Sequence, residues 1–415
     1  MYFFNYKICK NFLHFYASCA MIKVLKYRFD ILNIIIFQRS SLLMENYVKY
    51  RRDLHKIPET FYQEFKTSEY IHNILKDMPC KLTNVAKTGW LAFFDNGKEE
   101  TIAFRADIDA LAIQEAKDSE YKSTHDGVMH ACGHDGHMAM LLALADHLAE
   151  NYTKYKFNVV LIFQPAEESQ GGAKPIIETG ELDKLNISKV FGFHVWPEAP
   201  IGTITTRPGP LMARAAELSL HVTGKSAHVA SAELGVDANE VLAHIICDAY
   251  KMRAEELPEG ALSLLRFGIV QGGDVRNILA EKAEAYGSIR AFDDGIFDYM
   301  FKRLTEICAE NDAKFGSKTE IRCAEGYPAV MNDPELYEEY KEIVKMAGVN
   351  FVEKETPHMT GEDFSFYQKK WPGVFGFLGL GFVPALHNNK FDFDKKALKY
   401  GIDTFVTLLD YYNNK

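Results

Sequence analysis

Apolar and polar positions follow each other along most of this chain in short, separable rhythms. Compact apolar runs at "WLAFFD", "TIAFRAD", "NVVLIFQP" and "KVFGFHV" predict buried strands, and an apolar stretch predicts a helix from about Met138 to Glu150. Strands that alternate with helices in this way imply a sheet covered by helices on both faces. From about Ala216 the order changes to strand "ELSLHVTG", helix "DANEVLAHIICDAYKMRAEEL", strand "LSLLRFGIVQGG", strand "EAYGSIRAF", helix "GIFDYMFKRLTEICAENDAKF" and strand "KTEIRCAEG". That is the β-α-β-β-α-β order of ferredoxin-like units. After roughly Pro328 the first pattern resumes, with a helix around Leu336 to Met346 and a buried strand at "GVFGFLG". The expected fold is therefore α/β. A discontinuous domain of residues 44–215 and 329–415, a mixed sheet flanked by helices, is interrupted by a ferredoxin-like α+β domain at 216–328.

Length agrees with that division, since 415 residues predict about two domains at roughly 100–200 residues each. The net charge of −10 excludes nucleic acid and anionic membrane as bulk electrostatic partners, because both need a basic face. Seven cysteines show no framework spacing, as expected of a cytoplasmic protein in a reducing compartment. Residues 1–43 differ from the rest, being apolar and aromatic with scattered Lys and Arg. Because "MENYVKYRRDLHKIPE" reads as a complete amphipathic first helix, Met44 is the expected start and the preceding stretch an extension outside the fold. Its run "ILNIIIF" is too short to span a bilayer.

Candidate chemistry clusters at strand ends. Cys132 and His134 lie in "HACGHDGH" ahead of an apolar helix, and a Cys-x-His pair at such a turn can place a sulfur and an imidazole on one cation. Glu167 and Glu168 follow the strand "VVLIFQP", so one can ligate while the other carries protons. Asp107, Asp109 and His194 end two further strands, and ligands of open α/β sheets gather at the carboxyl ends of strands. His387, in "ALHNN", can join them only if both outer segments fold together. His130 and His137 flank the Cys-x-His turn and are expected to orient its ligands through hydrogen bonds. Glu362 and Asp363 are expected to cap the helix "DFSFYQKK".

Together, "RRDLHKIPE", "RADIDALAIQE", "MHACGHDGHMAML", "FQPAEESQGGAKPIIETG", "GFHVWPEAPIGTITTRPGPLMA", "GEDFSFY" and "LHNNKFDFD" resemble the aminoacylase and hippurate-hydrolase branch of the two-metal peptidases and amidohydrolases. The resemblance runs from about Met44 to the C-terminus. It implies two divalent metal ions (zinc, manganese, cobalt or nickel, all tolerated by these ligand types) held by Cys132, His134, Glu168, His194 and His387. Glu167 would be the general base and acid, and Asp109 would orient a ligand. Asp107 stands where other branches carry a metal-binding His, and the sequence does not choose between the two aspartates. His228, on the inserted domain, would reach the site of a partner subunit and steady the oxyanion, while Asn277 and Arg290 would hold the substrate's carboxylate end. An Arg fork suits a carboxylate bidentately. The inserted domain would act as a lid and, through an uncovered sheet edge, as the contact of a homodimer.

The motifs "RRDLHKIPE", "YQEFKT" and "RADIDALAIQE" are most similar to those of bacterial N-acetyldiaminopimelate deacetylases. The implied substrate is a small N-acyl amino acid, N-acetyl-LL-diaminopimelate, in lysine and cell-wall precursor supply. A broader aminoacylase or small-peptide hydrolase is the alternative. A metal-binding or dimerising protein without turnover is the rival from another class.

Overall fold

The computed structural model describes residues 46–169 and 171–415. The expectation for residues 1–43 lies outside the described residues. A first helix, α1, runs through residues 46–55, followed by α2 (Phe65–Leu75), β1 (Lys81–Val85), β2 (Gly89–Phe94), β3 (Thr101–Asp107), α3 (His134–Asn151) and β4 (Asn158–Gln164). Next come α4 (Ala173–Glu178), β5 (Ile187–Trp196), β6 (Thr203–Thr206) and β7 (Gly209–Met212). The inserted unit comprises β8 (Arg214–Thr223), α5 (Ala238–Glu255), β9 (Ser263–Gly272), β10 (Lys282–Ala291), α6 (Asp294–Phe315) and β11 (Lys318–Cys323). The chain closes with β12 (Val330–Asn332), α7 (Pro334–Met346), β13 (Asn350–Glu353), α8 (Ser365–Gln368), β14 (Gly373–Gly379) and α9 (Lys396–Asn414).

An eight-stranded mixed sheet has the order β1-β2-β4-β3-β5-β14-β6-β13. Strands β3, β4 and β14 are buried along their whole length, as continuous apolar runs must be when helices cover both faces. Alternate residues of β3 serve the two layers. Ile102, Phe104 and Ala106 pack with α3, α7 and α9, whereas Ala103 packs with α4 and the Phe364–Tyr367 segment. Because β4, β3, β5 and β14 are mutually parallel, their carboxyl ends open on one edge, where the candidate residues collect. Strand β14 also joins the two outer segments, since it lies between β5 and β6.

The inserted unit has its own antiparallel sheet, β11-β8-β10-β9, and its own apolar core of β8, β10, α5 and α6 residues. This is the ferredoxin-like order expected from the pattern. Its helices begin on aspartate caps, Asp237 and Asp293, whose carboxylates take otherwise unpaired N–H groups. The main departure from expectation is the start of α3, which begins at His134 rather than near Met138. Gly133 makes that early start possible. Its φ is +88°, and a Cβ there would lie 2.4 Å from Val195 Cγ2, so the turn requires glycine on two counts.

Candidate active site

Cys132, Glu167, Glu168, His194, His387 and Arg290 share the wall of one cavity of about 940 Å³. Cys132 Sγ is 3.3 Å from His194 Nε2, and Glu168 Oε1 is 3.4 Å from His387 Nε2 and 3.8 Å from His134 Nε2. Ligand atoms of Cys132, His134 and His194 lie within 4.8 Å of one another, as do those of Cys132, Glu168 and His387. Cys132 thus belongs to both groups. His387 arrives from the far end of the chain, held by its N–H on Ala131 O at 2.8 Å. Its φ of +63° is uncommon for a residue with a Cβ, so the loop is bent to aim the ring.

The backbone sets the imidazole tautomers. His134 Nδ1 donates to Asp109 O at 2.9 Å and His194 Nδ1 donates to Val195 O at 2.7 Å, which turns both Nε2 atoms toward the cluster. His134 Nε2 is buried without a hydrogen-bond partner among the described residues. Burial opposes a charge on His134, but Asp107, Asp109 and Glu168 raise its pKa to about 10. His194, with burial and His137 both acting against charge, is lowered to about 3. For Glu168 burial is outweighed by His387 and His134, which bring it to about 2. Burial and the carboxylates Glu168 and Glu167 push the Cys132 thiol well above its usual value. An orphaned imidazole nitrogen, a thiol and carboxylates converging on one cavity are a donor set that fits divalent cations. A bound cation would displace the thiol proton outright.

Glu167 differs from its neighbour. Burial, then Glu362 and Glu168, hold its carboxyl well above the usual carboxylate range. Asp109 faces the cluster, with Oδ2 accepting from Glu168 N–H at 3.0 Å. Asp107 is set behind the cavity wall, its oxygens committed to Arg105 Nη1 at 2.6 Å and His137 Nδ1 at 2.6 Å. His137 also accepts from Val195 N–H at 2.9 Å, next to His194. His130 departs from expectation, because neither ring nitrogen has a partner among the described residues.

Asn277 does not stand with Arg290 within one chain. Arg290 lines the cavity, with Nη1 on Met359 O at 2.6 Å, whereas Asn277 is exposed and accepts from Val229 N–H at 3.1 Å, beside His228. The long β9–β10 connection carries Asn277 to the outer corner of the inserted unit, so His228 and Asn277 both lie away from this chain's cavity wall. Nor do Glu362 and Asp363 simply cap a helix. Helix α8 is only Ser365–Gln368, and Asp363 instead accepts from Gly172 N–H and Ala173 N–H at 2.8 and 3.0 Å and from Arg105 Nη2 at 2.7 Å. Glu362 lines the cavity 3.0 Å from Arg105, and burial, against Arg105 but aided by Asp363, raises it to about 8. Arg105 was the residue missed by sequence reasoning. A guanidinium inside the apolar run "TIAFRAD" cannot be solvated and must be paired.

The model of peptidase family M20/M25/M40 matches residues 103–411. An uncharacterized hydrolase of Staphylococcus haemolyticus is 35% identical over 380 residues, covering 90% of this chain and 99% of the relative. The chain belongs to peptidase family M20/M25/M40. It is thereby a hydrolase. A family member of known structure, the YXEP protein of Bacillus subtilis, described as a dinuclear metal binding peptidase, superposes with a TM-score of 0.79 at 30% identity over 90% of this chain and 99% of its own. A crystal structure from methicillin-resistant Staphylococcus aureus superposes at 0.84, also at 30% identity, over 89% and 97% of the two chains. Among the described residues no helix is long and apolar enough to cross a membrane.

Proposed function

We propose that this M20/M25/M40 family member is a metal-dependent amidohydrolase that removes the acetyl group from N-acetyl-LL-diaminopimelate. The observation that carries the reading is the convergence of Cys132, His134, Glu168, His194 and His387 on one cavity whose wall also holds the buried carboxyl of Glu167. Cys132, His134 and His194 would hold one ion and Cys132, Glu168 and His387 the other. Divalent cations bound there supply Lewis acidity and lower the pKa of water. Glu167 takes the proton of the attacking water and returns it to the leaving amine, a transfer suited to a carboxyl whose proton affinity is raised by burial. Arg290 suits the substrate's α-carboxylate, and Glu198 and Glu217 on the cavity wall suit a distal ammonium. His228 and Asn277 of a second copy would complete the site, with the edge strand β9 as the dimer contact.

The similarity of the three N-terminal motifs to N-acetyldiaminopimelate deacetylases favours this substrate. A broader aminoacylase or small-peptide hydrolase is the second reading, favoured by the description of the B. subtilis neighbour as a peptidase. Acetate release from N-acetyl-LL-diaminopimelate should exceed hydrolysis of N-acetyl-methionine and hippurate. Preference for the latter pair overturns the substrate. Glu167→Gln should keep its metal and lose most turnover, and near-normal turnover in that variant refutes the mechanism. Tight metal without hydrolysis of any of these compounds would favour a binding protein. Light scattering that finds an active monomer removes the trans role of His228.

A further inference from the structure

The turn from Pro165 to Glu168 carries both glutamates, and its backbone is held from three directions. Ala166 has a φ of +59°, costly for a residue with a Cβ, and its N–H donates to the buried Glu64 Oε1 at 3.0 Å. Glu168 N–H donates to Asp109 Oδ2 at 3.0 Å. Between these two anchors the hydroxyl of Tyr327 donates to the carbonyl of Glu167 at 2.6 Å.

Tyr327 belongs to neither large sheet. It stands where the chain leaves the inserted unit, and it pairs with Ala215, where the chain enters. Tyr327 N–H donates to Ala215 O at 3.1 Å and Ala215 N–H to Tyr327 O at 3.2 Å. At the adjacent Gly326, φ is +63° and a Cβ would fall 2.0 Å from Ala215 O, so the two connections cross at backbone contact. The ring itself is packed. A Cβ on Gly171 would lie 2.9 Å from its Cε1, and Phe366 meets it edge-on at 6.3 Å. The ring also lines the cavity, and with these neighbours on two sides its hydroxyl is turned to Glu167 O.

We propose that Tyr327 is a positioning residue for Glu167. Through the Glu167 carbonyl it fixes where that carboxyl sits in the cavity, and it ties the position to the crossing by which the inserted unit is attached. The proposal rests on Glu167 as the proton carrier. A displacement of about 1 Å costs on the order of 100-fold in rate, and with two other anchors intact the expected loss is about tenfold.

Tyr327→Phe keeps the ring and removes the donor. Acetate release, metal content and melting midpoint are measured for this variant in the parent and in the Glu167→Gln background. The expected result is a kcat about tenfold lower with KM within about twofold, full metal, and a midpoint lowered by no more than about 3 °C. In the Glu167→Gln background the second change should cost less than about twofold. A kcat within about twofold of the parent, a full tenfold loss in the Glu167→Gln background, or a loss that tracks metal or melting overturns the proposal. Near-parent turnover in Glu167→Gln alone defeats the reading of Glu167, and the role of Tyr327 falls with it.

Discussion

Replacing Arg105 with methionine takes a guanidinium out of a pocket built around it. The side chain is 2% exposed and reaches Asp107 Oδ2 at 2.6 Å, Asp363 Oδ1 at 2.7 Å, Glu362 Oε1 at 3.0 Å and Gln164 Oε1 at 2.9 Å. Burial favours a proton on Glu362, and Arg105 is the cation that faces all three carboxyl groups. Removing one partner of a buried pair costs about 3–5 kcal/mol. Asp363 keeps the Gly172 and Ala173 N–H groups and Asp107 keeps His137, which sets the expectation near the lower end, about 3 kcal/mol. That is a large share of a total near 5–15 kcal/mol. Urea unfolding followed by tryptophan fluorescence isolates the relevant unit, because Trp90, Trp196 and Trp371 all lie outside the inserted one. With m near 3 kcal/mol per molar, the midpoint should fall by about 1 M. Arg105→Lys should restore little of it, since one ammonium cannot reproduce the fork. A methionine variant within about 0.3 M of the parent, or full rescue by lysine, refutes the account of how the site is held.

His55 makes a pH prediction. Burial opposes its charge, but Asp135, 2.8 Å away, and Glu115, 3.4 Å away, raise it to about 9. The protonated form is favoured in the folded state, so its contribution is complete below about 6.5 and is lost as pH rises through about 9. Melting midpoints should decline over that window in the parent, and His55→Gln should flatten the decline; an equal slope in both rejects the assignment. Gly133→Ala, which forces a left-handed φ costing about 1–2 kcal/mol and a 2.4 Å contact with Val195, should lower the melting midpoint and the retained metal together. Full metal with an unchanged midpoint would show that the turn relaxes freely.

The convergence of Cys132, His134, Glu168, His194 and His387 was legible because parallel strands must deliver their last residues to one edge. The inserted unit was legible as well, its period changing from buried runs to alternating strands around two long helices. What escaped was the layer behind the cavity. Arg105 carried a usable signal, a cation inside an apolar strand, whereas Glu362 and Asp363 carried a misleading one, since acids before a short helix usually cap it. Tyr327 had none, because its partner is a backbone carbonyl 160 residues away. Asn277 lies in the β9–β10 connection and Arg290 near the far end of β10, so the length of that strand, itself legible in the sequence, separates them.

The position of β14 between β5 and β6 has a consequence for biosynthesis. A ribosome must translate the whole inserted unit and most of the C-terminal segment before that central gap can be filled, so a nascent chain presents β5 as an open, apolar edge for much of its elongation. Such edges attract partners at random, so this stage of synthesis is the one most exposed to mispairing. The same order puts His387 after β14 in the chain, so the Cys132, Glu168 and His387 cluster is completed last.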